Sequence, residues 1–353
     1  MLYPYCVLPA TSPGIRGIMR FLVIGCGSMG RRRARCLRAM GYEAIAAYDP
    51  LEERRTAIAE QTGANVFSTA DAAFESGPEF ALICVPPHAH KAYLLRCIEA
   101  GIPAFCETPM VLTLDDADEV IAHAEATDAF IAPSCTYLHN EIHRLARRFV
   151  DEKPYGRLLG YLSHAGQHVA DWHPYEDYRA FYASKRSEGG MCIDMLPHEF
   201  QMLTWFAGEV RALTCMARRR STGIETDEAA FDTYDVLLDM RGNVSAVVHH
   251  DMVQRPPGAL RKLMFEAGVV EYDWRSLRHA KHAGPAFTGQ PDWQEEPLEG
   301  YTFEQMYIDE LEHALNALAG KDEYLMPLDR ERRMLELVLA CEESSRNGVH
   351  VVM

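Results

Sequence analysis

The first clear pattern of apolar and polar positions begins at Met19. An unbroken apolar run, Phe21 to Ile24, precedes a glycine-rich turn and then Arg31 to Met40, a segment without Gly or Pro. A continuous apolar run of this length is typical of a strand buried on both faces, and the segment after the turn predicts a helix. Strand, tight turn and helix together make the first half of a βαβ unit.

The same alternation continues to Tyr137. Strands that alternate with helices predict a parallel, doubly wound sheet. The further predicted strands are Ala44–Tyr48, Glu79–Val85, Pro103–Cys106 and Phe130–Cys135, and the further helices are Leu51–Gln61, one ending at Gly101, and one from Thr113 to about Thr127.

The pattern changes after Tyr137. Leu138 to Val150 predicts an amphipathic helix, after which apolar residues alternate or cluster in strand-length pieces with few helices between them. Successive strands of this kind predict an antiparallel or mixed sheet. The predicted strands are Leu158–His164, Val210–Ala217, Tyr234–Asp239, Val244–His250, Lys262–Glu266 and Val269–Tyr272, and the closing helices are Glu304–Ala319 and about Asp329–Ser345.

These patterns divide the chain into three parts and predict an α/β fold. Residues 1–18 have no period and are punctuated by Pro and Gly, so we expect a flexible extension or a start codon placed ahead of Met19. Residues 19–137 are predicted to form a dinucleotide-binding Rossmann domain with a doubly wound parallel sheet. Residues 138–353 are predicted to form an α+β domain with a largely antiparallel sheet.

Composition narrows the possible partners. The 353 residues have a formal net charge of −16, with 48% hydrophobic and 24% charged residues, which is typical of a soluble globular protein. The negative charge argues against nucleic acid and anionic membranes, and no apolar run approaches the ~18 residues of a membrane span. The ten Cys include no C-x-x-C pair, which predicts free thiols in a reducing cytoplasm and no metal site.

The glycines after the first strand have the spacing Gly25-x-Gly27-x-x-Gly30. The first allows the turn, the second a close approach of pyrophosphate to the helix N-terminus, and the third close packing of helix on strand. The motif alone is weak, but the second predicted strand ends in Asp49, where a carboxylate is expected to meet a ribose 2′-hydroxyl. The predicted cofactor contacts here are Gly25, Gly27, Ser28, Met29, Gly30 and Asp49.

The choice between NAD and NADP rests on three side chains. Asp49 would repel a 2′-phosphate and favours NAD. Arg54 and Arg55 lie on the following helix and could reach a 2′-phosphate, although they are equally explained as solvated helix charges. NAD is therefore the predicted cofactor, and NADP remains open.

The most informative stretch of the second domain runs from Glu188 to His198. Gly189-Gly190 admits a tight backbone path, and Pro197 suits the first turn of a helix. Asp194 is expected just before that helix and His198 within its first turn, so the two could converge. A His beside a carboxylate can move a proton near neutral pH, whereas the simpler alternative is a capping Asp and a buried His.

These motifs together resemble the Gfo/Idh/MocA oxidoreductases, the glucose–fructose oxidoreductase and inositol dehydrogenase group. The resemblance implies that the second domain's sheet covers the nicotinamide, that a sugar or cyclitol hydroxyl is oxidised or reduced, and that the protein is a homodimer or homotetramer. It adds Val85, Pro86, His90 and Glu107 as expected cofactor contacts. It rests on the glycine turn, Val85-Pro86-Pro87 with His90, Cys106-Glu107-Thr108-Pro109, and Gly189-Gly190 with Asp194 and His198.

A narrower resemblance is to members from surface-polysaccharide and amino-sugar pathways. It implies a polar, often anionic or nucleotide-linked sugar, which Arg179 and Lys185 could hold beside Trp172. Tyr137 could also donate a hydrogen bond to substrate. The alternatives are a basic loop that packs only locally and a packed aromatic residue. The motifs are Asp171-Trp172-His173-Pro174, Asp177-Tyr178-Arg179 and Tyr182-Ala183-Ser184-Lys185.

One departure from the family pattern bears on the chemistry. The family motif is Glu-Lys-Pro, and its Lys assists proton transfer, but this chain has Thr108 at that position. Thr can hydrogen-bond but is not a base near pH 7. Three functions remain open: a sugar oxidoreductase in which the proton is carried by His198, steered by Asp194, or by Lys185; an NAD-retaining sugar hydrolase or epimerase; and a nucleotide-binding protein impaired in catalysis.

Overall fold

The structure is a computed structural model that describes residues 19–172, 177–221, 231–282, 284, 291–298 and 300–353, apart from the side chains of residues 191 and 192. The predicted flexible extension, residues 1–18, lies outside the described residues. So do His173 and Pro174 of the narrower motif.

The first domain contains a parallel sheet with helices on both faces. Its six described strands lie in the order β3-β2-β1-β4-β5-β6, and every neighbouring pair is parallel. The direction of strand order reverses between β1 and β4, which is the crevice where open α/β sheets bind ligands. The strands are β1 Phe21–Ile24, β2 Ile45–Tyr48, β3 Asn65–Phe67, β4 Phe80–Ile83, β5 Ala104–Cys106 and β6 Ile131–Pro133. The helices are α1 Ser28–Ala39, α2 Glu52–Thr62, α3 Ala70–Glu75, α4 His90–Glu99 and α5 Leu114–Thr127.

The central strand explains why this half of the fold was predictable. All four residues of β1 are at most 1% exposed because helices cover both faces of the sheet. The caps also follow sequence: Gly63 ends α2 in the left-handed region at φ 67°, and the Thr113 hydroxyl accepts the Asp116 N–H at α5. The predicted Rossmann fold is confirmed. The short elements β3 and α3 were not predicted.

The second domain is built on a larger, mixed sheet, called the large sheet below. Its described strands lie in the order β14-β13-β12-β11-β7-β10-β9-β8-β15, and all pairs are antiparallel except β7 with β10. The strands are β7 Leu158–Gly166, β8 Val210–Arg218, β9 Thr233–Met240, β10 Ser245–Asp251, β11 Gly258–Phe265, β12 Gly268–Tyr272, β13 Leu277–Lys281, β14 Gln294–Glu296 and β15 Val351–Val352. The helices are α6 Glu141–Glu152, α7 Met191–Ala207, α8 Gln305–Leu318 and α9 Leu328–Asn347. The predicted, largely antiparallel sheet is confirmed, and its edge strands β13–β15 were missed.

The last two helices return toward the first domain. Met306, Leu311 and Ala314 of α8 are buried in the same apolar core as Phe21 and Leu37. The α9 helix contributes to the cores of both domains. The domain boundary predicted after residue 137 stays a prediction, but the first domain's core includes residues from the C-terminal part of the chain.

The two faces of the large sheet differ. One face packs against α7 and α9, while the other exposes apolar side chains such as Leu237 at 60%, Leu260 at 45% and Val247 at 40%. We call the second one the open face. Within the described ranges, no helix combines the length and the apolar character that a membrane crossing requires.

Candidate active site

The glycine turn has the geometry that its spacing predicts. Gly25 has φ +94°, and a Cβ there would lie 2.7 Å from the Cys84 carbonyl oxygen. A Cβ on Gly30 would overlap the Gly25 carbonyl, so this glycine allows α1 to pack on β1. A Cβ on Gly27 would meet nothing within 4 Å, and no side chain caps α1 there. The open backbone above the N-terminus of α1, flanked by half-exposed Ser28 and Met29, fits a pyrophosphate.

Asp49 lies at the end of β2, beside the glycine turn. Its carboxylate oxygens accept the N–H groups of Cys26 and Leu51, each at 2.9 Å, and the residue is 3% exposed. A carboxylate has further lone pairs, so these bonds orient it without exhausting its capacity to accept a ribose hydroxyl. Arg55 donates to the carbonyl oxygens of Asp49 and Pro50, which binds its guanidinium to the protein backbone.

His90 contacts the backbone of the loop that follows β4 and holds it in place. Its Nε2 lies 2.7 Å from the Val85 carbonyl oxygen and its Nδ1 lies 2.9 Å from that of Pro109. Burial lowers the pKa of His90, and the side chain is enclosed. Both ring nitrogens thus face protein carbonyls. His90 positions the Val85–Pro86 turn, and its own contact with the cofactor stays a prediction.

Glu107 belongs to a buried charge cluster at the end of β5. Its carboxylate accepts two bonds from Arg33, at 2.7 and 3.1 Å, and another nitrogen of Arg33 lies 2.7 Å from Glu310 on α8. The Arg33 side chain is fully buried and stacks over the Phe105 ring at 4.4 Å. Arg33 and Glu310 were missed in the sequence, because nothing local distinguishes one Arg or Glu of an amphipathic helix from the next.

Thr108, the departure from the family motif, is bound to α9. Its hydroxyl donates to Glu331 Oε1 at 2.9 Å, and the same carboxylate accepts the Met110 N–H and the Gln201 side-chain amide. Burial raises the pKa of Glu331. The Thr108 hydroxyl proton is therefore used within the protein. Glu331 was also missed, since it lies more than two hundred positions away.

The helix that carries the predicted catalytic pair begins earlier than expected. Gly189 and Gly190 have φ +136° and +81°, and α7 starts immediately afterwards at Met191. Asp194 is therefore in the first turn rather than before the helix, and His198 lies one turn further along the same face. Pro197 is inside α7 rather than at its start, which leaves the helix without one internal N–H donor.

Asp194 is held by a tyrosine that the sequence analysis did not assign to the site. The Tyr182 hydroxyl donates to the Asp194 carboxylate, and burial raises the pKa of Asp194 to about 7. Tyr182 opens the Tyr-Ala-Ser-Lys motif noted above, so a signal was present, but its partner could not be read from the spacing. An Asp with this pKa can exchange a proton at neutral pH.

His198 is enclosed by aromatic and polar groups. Its ring stacks on Tyr137 with centroids 4.4 Å apart, and Tyr137 in turn meets the edge of Trp274. Burial lowers the pKa of His198, while the carboxylates of Glu310, Glu107 and Glu199 act in the opposite direction. Within the described part of the chain, its buried Nδ1 has no hydrogen-bond partner. A neutral imidazole with an unpartnered nitrogen can accept a proton.

The two predicted halves of the site lie close together. The Glu107 charge acts on both Asp194 and His198, and a Cβ on Gly189 would lie 3.4 Å from Pro87, next to the β4 turn. The hydrogen bonds of Asp194 and His198 go to Tyr182 and Gln201. Between the pair themselves, no hydrogen bond is found among the described side chains. Asp194 therefore does not orient His198 directly. This differs from the expectation that Asp194 steers His198.

The predicted substrate residues make local contacts. Arg179 forms a bidentate pair with Asp177, and the Lys185 ammonium lies 2.8 Å from Glu188. Trp172 meets the edge of the Phe181 ring at 6.3 Å. These contacts are those of the local-packing alternative, and the substrate roles of the three residues stay predictions. Tyr137 is 8% exposed and reaches the site through its stack on His198.

Two family descriptions match this chain. The GFO_IDH_MocA description, "Oxidoreductase family, NAD-binding Rossmann fold", matches residues 19–133, and the GFO/IDH/MocA C-terminal domain matches residues 143–267. Together they cover more than half of the sequence. The first match covers the parallel sheet, and the second covers strands β7 to β11 of the large sheet.

Individual relatives point the same way. Inositol 2-dehydrogenase 1 of Saccharopolyspora erythraea is 32% identical over 113 residues, 31% of this chain and only 34% of that protein. Inositol 2-dehydrogenase of Burkholderia lata is 25% identical over 319 residues, 86% of this chain and 89% of that protein. A solved structure of levoglucosan dehydrogenase with NADH and levoglucosan has a TM-score of 0.82 at 16% identity, covering 95% of this chain and 99% of its own. At that identity the likeness shows the fold alone.

Proposed function

This chain belongs to the GFO/IDH/MocA oxidoreductase family and carries its NAD-binding Rossmann domain, and we propose that it transfers a hydride between nicotinamide and a hydroxyl or carbonyl carbon of a sugar. The observation that carries the proposal is the position of the α7 pair. The Glu107 charge, at the end of β5, acts on both Asp194 and His198, and a Cβ on Gly189, just before α7, would lie 3.4 Å from Pro87 at the carboxyl edge of the parallel sheet. Proton-transfer groups thus adjoin the edge where an open α/β sheet binds its ligand.

The cofactor is held by the glycine turn and its neighbours. The open backbone at Gly27 receives the pyrophosphate, and Asp49 accepts a ribose hydroxyl. Asp49 favours NAD, and Arg55 is bound to backbone carbonyls beside it. When bound, the cofactor supplies the nicotinamide carbon that accepts or donates the hydride.

His198 carries the proton of the reacting hydroxyl. Its lowered pKa leaves the imidazole neutral near pH 7, and its unpartnered Nδ1 accepts the proton. The resulting imidazolium is stabilised by the carboxylates of Glu107, Glu199 and Glu310. These groups offset part of the desolvation that disfavours the cation. General acid–base help of this kind contributes about 10²–10⁴ in rate.

Asp194 and Thr108 have supporting roles in this proposal. Asp194, with a pKa of about 7, is a second proton acceptor one helical turn from His198. Thr108 replaces the family Lys and stabilises the buried Glu331 carboxylate instead. The proton transfer that the family pattern assigns to that Lys is therefore assigned here to Asp194 and His198.

For the substrate we propose a polar sugar, amino-substituted or nucleotide-linked. The support is the loop before α7, which carries the cations Arg179 and Lys185 and in which Trp172 meets the Phe181 ring. Both cations are paired with acids close in sequence, so an anionic substrate would have to displace Asp177 or Glu188. We also propose a homodimer or homotetramer, for which the exposed apolar side chains of the open face offer a surface.

The experiment is a substrate panel followed at 340 nm with NAD⁺ and with NADP⁺. It includes inositols, free hexoses, amino sugars and nucleotide-linked amino sugars, and each active compound is repeated with His198→Ala. The proposal predicts NAD-linked oxidation of at least one compound and its loss in the variant. Substrate consumption without net absorbance change would instead identify an NAD-retaining hydrolase or epimerase. Cofactor binding without any turnover across the panel would contradict catalysis.

A further inference from the structure

A second group of titratable side chains lies on the open face of the large sheet, away from α7. It consists of His164 on β7 and His249 and Asp251 on β10, and one potential ligand atom of each lies within 4.8 Å of the others. His249 Nε2 is 3.1 Å from Asp251 Oδ2. The oxidoreductase reaction proposed above uses none of these groups. We call them the open-face cluster.

Strand register brings the cluster together. The β7 and β10 strands pair in parallel, with His164 opposite His249 and Gly166 opposite Asp251. The two imidazole rings stack with centroids 4.8 Å apart and planes 21° from parallel. Side chains opposite each other on neighbouring strands leave the sheet on the same face. The two imidazoles therefore lie side by side on one face of the sheet, and rotation of their side chains would turn one nitrogen of each toward a shared ion.

A further acid orients His249 from outside the cluster. Asp235 on β9 lies opposite His249, and its Oδ1 is 2.7 Å from His249 Nδ1. A carboxylate can only accept here, so the Nδ1–H donates and Nε2 is directed toward Asp251. A carboxylate on the far nitrogen of an imidazole is the usual outer partner of a metal-binding His, because it fixes the ring and raises its basicity.

Asp251 is held in the same way. Its Oδ1 accepts the N–H groups of Val253 and Gln254 at 2.9 and 2.7 Å, so Oδ2 is the oxygen left to face His249. The opposite residue, Gly166, has no Cβ, and a Cβ there would overlap the Asp251 carboxylate. Asp251 is only 4% exposed, and its buried carboxylate lies within 4.8 Å of a ring nitrogen of each of the two imidazoles.

We propose that His164, His249 and Asp251 bind one Zn²⁺ ion, with water completing the coordination. Two imidazoles and a carboxylate with an open fourth position form a known zinc donor set. The 3.1 Å between His249 Nε2 and Asp251 Oδ2 is close to the ~3.3 Å expected between two ligands ~2.0 Å from a tetrahedral ion. Binding releases the proton that His249 Nε2 shares with Asp251.

This site departs from the sequence analysis, which predicted no metal site. That prediction considered Cys spacing, whereas the cluster is made by His and Asp residues on strands that lie far apart in sequence. The ion would join β7 directly to β10 and, through Asp235, to β9. The proposal is independent of the proposed reaction, since α7 lies on the opposite face of the sheet.

The test uses the full chain, purified without a His tag, stripped with a chelator and titrated with Zn²⁺ by calorimetry. Co²⁺ is titrated in parallel, because its visible absorption reports tetrahedral coordination. We expect about one equivalent per chain, and His164→Ala and His249→Ala should each weaken binding by about 100-fold or more. Gly166→Ala should weaken it by about 10-fold or more, because the added methyl group displaces the Asp251 carboxylate without removing any ligand residue.

Two matched variants serve as controls. Gly160→Ala adds the same methyl group on the same strand, where its one close contact is the flexible end of Met264 and the Ser245 carbonyl oxygen lies at an ordinary 3.5 Å. His123→Ala removes an exposed imidazole on α5. Both should bind Zn²⁺ as the parent does. If His249→Ala fails to fold, the Gly166→Ala and Gly160→Ala comparison and the Co²⁺ spectrum of the parent decide the question.

Three outcomes would overturn the proposal. The first is no saturable Zn²⁺ binding below about 10 μM, an affinity of ~7 kcal/mol. The second is undiminished binding by a folded His249→Ala or by Gly166→Ala. The third is Zn²⁺ binding that is lost in His198→Ala but retained in the open-face variants, which would place the metal at His198 on α7. Any of these would leave His249 as a protonated bridge between Asp235 and Asp251.

Discussion

The glycine turn and the α7 pocket, which contains Tyr137, Tyr182, Asp194 and His198, are assembled differently. The turn is made by neighbours in sequence: a Cβ on Gly25 or Gly30 would clash with backbone, and Gly27 leaves its backbone open. The pocket combines Tyr137, Tyr182 and α7 with two acids from elsewhere in the chain, Glu107 after β5 and Glu310 on α8. A site built from neighbouring residues tolerates few substitutions, because each position has a fixed role. A site assembled from distant residues divides its chemistry among several side chains, and one of them should contribute more to catalysis than the others.

The largest expected effect concerns that dominant side chain. His198→Ala should lower kcat by about 10²–10⁴, equivalent to roughly 3–5 kcal/mol of barrier, because the proton acceptor is lost. NADH affinity, measured by fluorescence titration, should stay near the parent value because the glycine turn is intact. His123→Ala is the control. Loss of NADH binding in His198→Ala would mean that the two regions are not separable.

The next largest effect should appear in the turn. Gly30→Ala places a methyl group against the Gly25 carbonyl, so the backbone must shift, and we expect about 2–3 kcal/mol of destabilisation in urea unfolding. Gly27→Ala is the matched variant, since its methyl group meets nothing within 4 Å. It should be nearly as stable as the parent yet bind NADH more weakly, by blocking the pyrophosphate. Equal stability of the two variants would contradict the assigned roles.

A stability change of opposite sign is expected at Asp194. The pKa of its carboxyl is about 7 in the fold and about 3.9 in the unfolded chain, so the native state binds more protons between these values. Stability contributed by the protonated form is therefore lost as pH rises from about 4 to about 7. Asp194→Asn should be stabilised by about 1–3 kcal/mol at pH 8 and little at pH 4.

The measurement for Asp194→Asn is thermal unfolding at a series of pH values, with Asp177→Asn as the control. Asp177 is exposed and its pKa is lowered by the Arg179 hydrogen bond, so its variant should lack the stabilisation at high pH. A difference between Asp194→Asn and the parent that does not change with pH would contradict the buried, titrating carboxyl.

The smallest effect is expected at Thr108. Thr108→Val keeps the shape of the side chain but removes one donor from the buried Glu331 carboxylate, at a cost of about 1–2 kcal/mol in unfolding free energy. Thr108→Ser retains the hydroxyl and should cost less. Neither should lower kcat as far as His198→Ala does. If Thr108→Val lowered kcat as much as His198→Ala does, the proton transfer would have to be assigned to position 108 instead.

The same contrast explains how much could be predicted from sequence. The parallel sheet and the glycine turn follow from local apolar runs and spacing, and Asp49 lies where the motif expects it. The large sheet was predicted in type, but its edge strands are short and their partners distant. The Arg33–Glu107–Glu310 cluster and the Thr108–Glu331 bond escaped because each joins elements whose contact only the tertiary fold determines.

The pocket itself was predicted in part. Asp194 and His198 were expected to converge, and they do lie one turn apart on α7. Their hydrogen bonds go instead to Tyr182 and Gln201, because Gly190 starts the helix earlier than Pro197 suggested. The spacing of the motif identified the two side chains, whereas their hydrogen-bond partners depend on the residue at which α7 begins.

The central claim is that His198 takes the proton of the reacting hydroxyl at the edge where NAD binds. The most direct measurement is a single-turnover reduction of bound NAD⁺ by the best substrate, followed at 340 nm, in His198→Ala with added imidazole. The vacated space beside Tyr137 should admit imidazole, and we expect the rate to rise with its concentration. A single-turnover rate equal to that of the parent without imidazole would contradict the claim.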